Sequence, residues 1–205
     1  TVNPVPTITS VSASPTLLCV GSTISLSATG VTGFSGSPTY AWTGPNSYSD
    51  AGTAPSFTAS VTAASGVYSL TVTYPGTGCT SAVSTTTAVT VNAVPTISSV
   101  SASPTLLCIG STISLSATGV TGGSGSPTYA WSGPNSYSST AAAPSFTASV
   151  TAASGVYSLT VTYPGTGCTS AVSTTTAVTV NAVPTISSVS ASPTLLCVGS
   201  TISLS

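Results

Sequence analysis

Cysteine offers this chain its clearest chemistry. The sequence holds five, Cys19, Cys79, Cys108, Cys168 and Cys197, among no Lys, Arg, His or Glu and a single acid, Asp50. A zinc site needs four ligands, and successive pairs of Cys have no His to complete the set. The cysteines are therefore expected as disulfides, which places the chain in an oxidising compartment, outside the cell or on its surface. No metal or other cofactor is expected.

The hydroxyl groups come next, because Ser and Thr make up 36 of the 89 residues from Thr90 to Val178. A Ser nucleophile needs a neighbouring base, and general acid–base work needs groups this chain lacks. Asp50 stands alone in a turn-like stretch, so an enzyme is not expected. Nucleic acid is excluded as a partner, since no cation is present to meet a phosphate. Gly119–Ser126 is glycine-rich, but with no Lys and with strand-like runs on both sides it is a loop rather than a phosphate cradle. Tyr48 and Tyr137 each follow a Gly-Pro-Asn-Ser turn and are candidate glycan contacts, with a tyrosine capping a sheet edge as the plainer reading. The hydroxyls themselves are candidate sites for covalent O-glycans. Such sugars would hydrate a chain of formal net charge −1 that is 40 % apolar and so has little to oppose association. No Asn-x-Ser/Thr sequon occurs. No apolar run reaches the ~20 residues of a membrane-spanning helix.

What positions these groups is a repeat. TLLCVGSTISLS at Thr16–Ser27 returns at Thr105–Ser116, with Ile109 for Val20, and again at Thr194–Ser205, each copy 89 residues after the last. Laid over residues 90–178, residues 1–89 match at 80 positions. The nine differences are Pro4/Ala93, Thr9/Ser98, Val20/Ile109, Phe34/Gly123, Thr43/Ser132 and the block Asp50–Thr53 against Ser139–Ala142. A period this long marks a tandem array of small domains. We expect the end of one repeat at 1–4, repeat 1 at 5–93, repeat 2 at 94–182 and the start of a third at 183–205, as a window on a longer array.

Within a repeat the pattern is that of strands. Thr96–Ser101 and Thr105–Cys108 read as a first strand interrupted at Pro104, which suits a sheet edge. Thr112–Thr118 alternates Ile113, Leu115 and Ala117 against hydroxyls, the period of a half-buried strand. Thr128–Ser132 puts Tyr129 and Trp131 on one face. Ser145–Thr151 would turn Phe146, Ala148 and Val150 inward, and Gly155–Tyr163 does the same with Tyr157, Leu159 and Val161. Pro164–Gly167 makes a hairpin to a last strand ending in Val178-Thr179-Val180. About seven short strands in about 90 residues describe an all-β fold of tandem immunoglobulin-like β-sandwich domains. Trp42 and Trp131 are the expected core plugs. Tyr68 and Tyr157 stand where such a fold places a tyrosine corner, and Leu115 and Leu159 stand where an antibody domain has its inter-sheet cystine.

The order C-x-G-S-T-x-x-L (Cys108–Leu115), Y-x-W (Tyr129–Trp131), S-G-x-Y-x-L-x-V (Ser154–Val161) and G-C-T (Gly167–Thr169), closed by V-T-V before a proline linker, resembles the bacterial immunoglobulin-like and PKD-like repeats of large secreted surface proteins. The resemblance implies a stalk, adhesin shaft or fibre subunit. Neighbouring repeats, and other copies in a filament, are the partners it implies. A carbohydrate-binding or adhesive module using the loop tyrosines is the alternative. Calcium stiffening is not expected, because the second repeat has no carboxylate to offer.

The cystine pairing follows from the expected topology. One Cys of each repeat precedes the second strand and the other follows the sixth. In this fold those strands run the same way in facing sheets, which puts the two Cys at opposite poles roughly 25 Å apart. A disulfide needs Cα atoms within about 7 Å. In a head-to-tail string the far pole of one repeat meets the near pole of the next. Cys19 would then pair with Cys168, leaving Cys79 for a preceding repeat and Cys108 for a following one. A bond inside each repeat, Cys19 to Cys79, is the alternative.

Overall fold

Alternation of apolar and hydroxyl residues builds two copies of one sandwich. The computed structural model describes residues 2–33 and 36–205, so Thr1, Ser35 and the Phe34 side of the Phe34/Gly123 difference lie outside it. In repeat 1 the strand segments are β1 (Ser10–Ser14), β2 (Leu17–Cys19), β3 (Thr23–Thr29), β4 (Thr39–Gly44), β5 (Tyr48–Asp50), β6 (Ser56–Thr58), β7 (Ser69–Tyr74), β8 (Cys79–Thr80), β9 (Ser84–Thr85) and β10 (Thr90–Asn92). Repeat 2 matches them in order. It has β11 (Ser99–Ser103), β12 (Leu106–Cys108), β13 (Thr112–Thr118), β14 (Thr128–Gly133), β15 (Tyr137–Ser139), β16 (Ser145–Thr147), β17 (Ser158–Tyr163), β18 (Cys168–Thr169), β19 (Ser173–Thr174) and β20 (Thr179–Asn181).

One sheet has the order β1-β3-β6 and the facing sheet the order β5-β4-β7-β8, with β9 also on β7. In repeat 2 the sheets are β11-β13-β16 and β15-β14-β17-β18, with β19 on β17. The first strand changes partners at Pro15. Before it, β1 runs antiparallel to β3, and after it β2 runs parallel to β10. Proline donates no ladder hydrogen bond, so the break falls where the chain leaves the ladder with β3 for a separate two-stranded ladder with β10. Counting β1 with β2, and β8 with β9 and β10, leaves seven strands. That is the immunoglobulin-like count, with β5 beside β4 in the second sheet.

Each repeat closes over its own core, one spanning Ala13 to Val91 and the other Ala102 to Val180. Ile113, Leu115, Leu159 and Val161 of repeat 2 are fully buried. Leu115 on β13 and Leu159 on β17 bring apolar surface from the two sheets into one cluster. Each such side chain contributes roughly 1.5–3 kcal/mol of burial free energy.

Two features depart from the sequence reading. Val150 does not point inward but is 40 % exposed. The strand stops at Thr147, and after buried Ala148 the chain enters a 3-10 turn at Thr151–Ala153, whose Ala153 carbonyl accepts a hydrogen bond from Tyr157 Oη at 2.6 Å. That turn reverses the alternation, and Ala153 is buried in place of Val150. The last strand is also split, because buried hydroxyls intrude on its ladder. Ser170 Oγ accepts from Val161 N at 3.0 Å, and Thr175 Oγ1 accepts from Tyr157 N at 3.1 Å.

Candidate functional site

The joint between the repeats brings together residues from both. Cys19 ends β2, in register with Asn92 at the end of β10, so it sits where the chain leaves repeat 1. Val20 N donates to the Asn92 carbonyl at 2.8 Å, and Asn92 Nδ2 donates to the Leu18 carbonyl at 3.4 Å. Gly21 then turns the chain into β3 with φ of 93°, a left-handed conformation open to glycine.

Cys168 is held by the opposite kind of element, a tight hairpin. Gly167 N donates to the Tyr163 carbonyl at 2.9 Å, with Gly167 at φ 71°. Thr166 Oγ1 donates to the same carbonyl at 3.2 Å and accepts from Cys168 N at 3.3 Å. The hairpin thus presents the sulfur at the entrance pole of repeat 2.

The two meet. Cys19 and Cys168 form a disulfide with Cα atoms 5.7 Å apart. This is the pairing between repeats, and the alternative bond from Cys19 to Cys79 is not formed. Cys79, Cys108 and Cys197 are free among the described residues. Contact between the repeats shows in exposure. Cys168 is fully buried while its counterpart Cys79 is half-buried, and Cys19 is half-buried while Cys108 is exposed. Val94 at the joint is half-buried, whereas its counterpart Val5 is 60 % exposed. The bond closes a loop of sequence separation 149, which on chain-entropy scaling is worth about 5 kcal/mol against unfolding.

The other candidate residues lie within the sandwiches. Trp42 and Trp131 are buried, and their indole N–H groups donate to the carbonyls of Gly52 and Ala141 at 3.0 and 3.1 Å. Those carbonyls belong to the block where four of the nine repeat differences fall. The tryptophan uses main chain there, so the side chains are free to vary. Asp50 Oδ1 accepts from Gly52 N at 2.6 Å, and Ser139 Oγ accepts from Ala141 N at 3.2 Å, so carboxylate and hydroxyl fill the same local turn role.

Tyr48 and Tyr137 are half-buried at the sandwich edge. Tyr48 stacks on Phe57 with ring centres 4.1 Å apart and meets Tyr68 edge-on at 5.5 Å, and Tyr137 does the same with Phe146 and Tyr157. Tyr48 Oη is buried without a hydrogen-bond partner. Its hydroxyl is pushed up to about 12, first by burial, then by the Asp50 carboxylate and by Tyr68. A shallow groove of about 460 Å³ runs beside Tyr40, Trp42 and Asp50, and Tyr48 does not line it. Among the described residues no group of three or more His, Cys, Asp or Glu could hold a metal. No helix among them is long and apolar enough to cross a membrane.

These features define a class, a tandem of immunoglobulin-like β-sandwich domains stapled across their joint. No protein-family profile matches the chain, and no curated protein does. Similar solved structures include murine CEACAM1b, at 12 % identity over 85 % of this chain and 99 % of that one, with a TM-score of 0.40. The N-terminal domains of the bacteriophage RB49 outer capsid protein Hoc share 17 % identity over 85 % of this chain and 59 % of that one, with a TM-score of 0.37. The N-terminal two-domain module of the Drosophila receptor protein tyrosine phosphatase DLAR shares 14 % over 87 % of this chain and 100 % of that one, with a TM-score of 0.34. The class assignment rests on the strand order and register given above.

Proposed function

We propose that this chain is an extracellular structural shaft, part of a bacterial surface fibre or adhesin, in which repeats bounded at residues 93 and 182 are stapled into a stiff string. The Cys19–Cys168 bond carries the reading, because it spends both cysteines on the joint and none on the interior of a domain. Leucines take the inter-sheet position that a domain cystine would otherwise hold. An oxidising surroundings is what such a bond requires. The bacterial surface assignment is supported by the motif order of the repeats alone. Covalent O-glycans on the outward hydroxyl ranks fit the same setting. Against the carbohydrate-binding alternative, one face of Tyr48 is taken by Phe57 and one face of Tyr137 by Phe146.

Small-angle scattering of the oxidised and reduced chain tests the shaft. The oxidised pair should scatter as one extended particle with a fixed angle between repeats. Reduction should broaden the distribution while both sandwiches stay folded. A folded-back pair, or a profile indifferent to reduction, would remove the shaft. Titrating Trp42 and Trp131 fluorescence with glycans addresses the alternative.

A further inference from the structure

A disulfide changes how tension runs through a chain as well as how the chain folds. Cys19 precedes β3 of repeat 1 and Cys168 follows β17 of repeat 2. Their sequence separation is 149, yet their Cα atoms lie 5.7 Å apart. The bond therefore bridges past most of both sandwiches. Inside its loop lie β3–β10, the linker through Val94 and Pro95, and β11–β17. Outside it are β1 and β2 on one side, and the rest of β18 with β19 and β20 on the other.

Tension that enters ahead of β1 and leaves behind β20 loads these outer segments first. On the near side it works against the ladders of β1 on β3 and β2 on β10. On the far side it works against β18 and β19 on β17, and β20 on β12. Once those noncovalent ladders part, the load passes from Cys19 to Cys168 through the S–S bond. Residues 20–167 then carry none of it, and their length stays out of reach. Without the bond both sandwiches and the joint stand in series, and each yields at its own unfolding rate. The choice of partner matters here. A bond from Cys19 to Cys79 would enclose repeat 1 alone and leave the linker and all of repeat 2 under load.

We propose that the Cys19–Cys168 bond is a length limiter, which makes the two sandwiches and their joint one tensile unit. Pulling then releases only the segments 2–18 and 169–205. The proposal rests on the shaft reading for the source of the tension. It holds wherever in a longer array the load enters and leaves, because the shielded loop is set by the two bonded residues.

The test pulls single molecules to full extension by peptide tags added at both ends. The chain carries Cys79→Ser, Cys108→Ser and Cys197→Ser, which removes the free thiols that could exchange with the staple. Oxidised, it should lengthen only as far as the outer segments allow, to a contour of roughly 200 Å. With a reductant present the same pull should release roughly 500 Å more, the contour of the separation of 149. Adding Cys19→Ser in oxidising buffer should reproduce the reduced result, which ties the limit to this bond. An oxidised chain that releases the full length, or a reduced one that lengthens no further, would overturn the limiter. Scattering from the same samples reads the shaft separately. An extended particle without the redox-dependent length keeps the shaft and loses the limiter, and a folded-back pair that shows it does the reverse.

Discussion

Tyr157 Oη donates to the carbonyl of Ala153 at 2.6 Å, four residues upstream, and Tyr68 makes the same bond to Ala64. Both rings are fully buried, and the bond closes the 3-10 turn that leads into the long strand of each second sheet. Tyr157→Phe keeps the ring and leaves the Ala153 carbonyl without its donor. A buried acceptor left so costs roughly 1–3 kcal/mol. Thermal unfolding of the variant should show repeat 2 melting first while repeat 1 is unchanged. An unaltered melting curve would mean water replaces the hydroxyl without loss.

The same ring lies flat on Gly133 at the end of β14, and a Cβ there would overlap its Cδ1 and Cε1. Gly44 stands in the same relation to Tyr68. The expected cost of Gly133→Ala is about 1–3 kcal/mol, since the overlap is with a ring locked by its own hydrogen bond. Gly165→Ala is the control, because its added Cβ meets nothing within 4 Å. Denaturant midpoints should separate the two variants, and equal midpoints would refute the close approach.

Where the sequence has contrast, the fold can be read from it. Thr112–Thr118 alternates the apolar Ile113, Leu115 and Ala117 with hydroxyls without a lapse, and the strand has those bounds. The Cys19–Cys168 pairing could be read from strand length and direction, because a disulfide has so short a reach. Contrast fails among small residues. Nothing in Ala148–Ser154 says that Val150 turns outward, since Ala, Ser and Thr suit turn and strand alike. Ser170 and Thr175 were illegible for a related reason. Among so many exposed hydroxyls, no local signal marks the few that are buried and accept from a strand backbone. The stacking partner of Tyr48 was hidden too, since Phe57 reaches it from the other sheet.

Hydroxyls also line the outside in pairs. Ser10 meets Thr29 at 2.7 Å and Ser12 meets Ser27 at 2.8 Å, with the same pairs at Ser99–Thr118 and Ser101–Ser116. O-glycans attached to such ranks would supply the hydration that charge does not. Intact mass spectrometry of material from the native source should give masses above the bare polypeptide, spaced by sugar units. A single peak at the polypeptide mass, less two hydrogens per disulfide, would end the idea.

Alkali should tell the two repeats apart, through Asp50. Burial raises Tyr137 as it raises Tyr48, but Tyr137 faces Ser139, whose hydrogen bond pulls the other way, where Tyr48 faces a carboxylate. An unfolded Tyr48 sheds its proton at the ordinary 10.0, and the folded one only at about 12. Between those values the unfolded chain binds fewer protons than the folded chain, so stability falls as pH rises. The contribution of Tyr48 is whole below pH 10.0 and spent above about 12. Asp50→Ser removes the repulsion and keeps a hydroxyl that can cap the Gly52 amide. In the variant, the tyrosinate absorbance step of Tyr48 should move to lower pH. Repeat 1 should also lose less stability over the alkaline interval than it does with Asp50 in place. If native and variant titrate alike, the carboxylate does not reach the Tyr48 hydroxyl, and burial with Tyr68 sets its proton affinity.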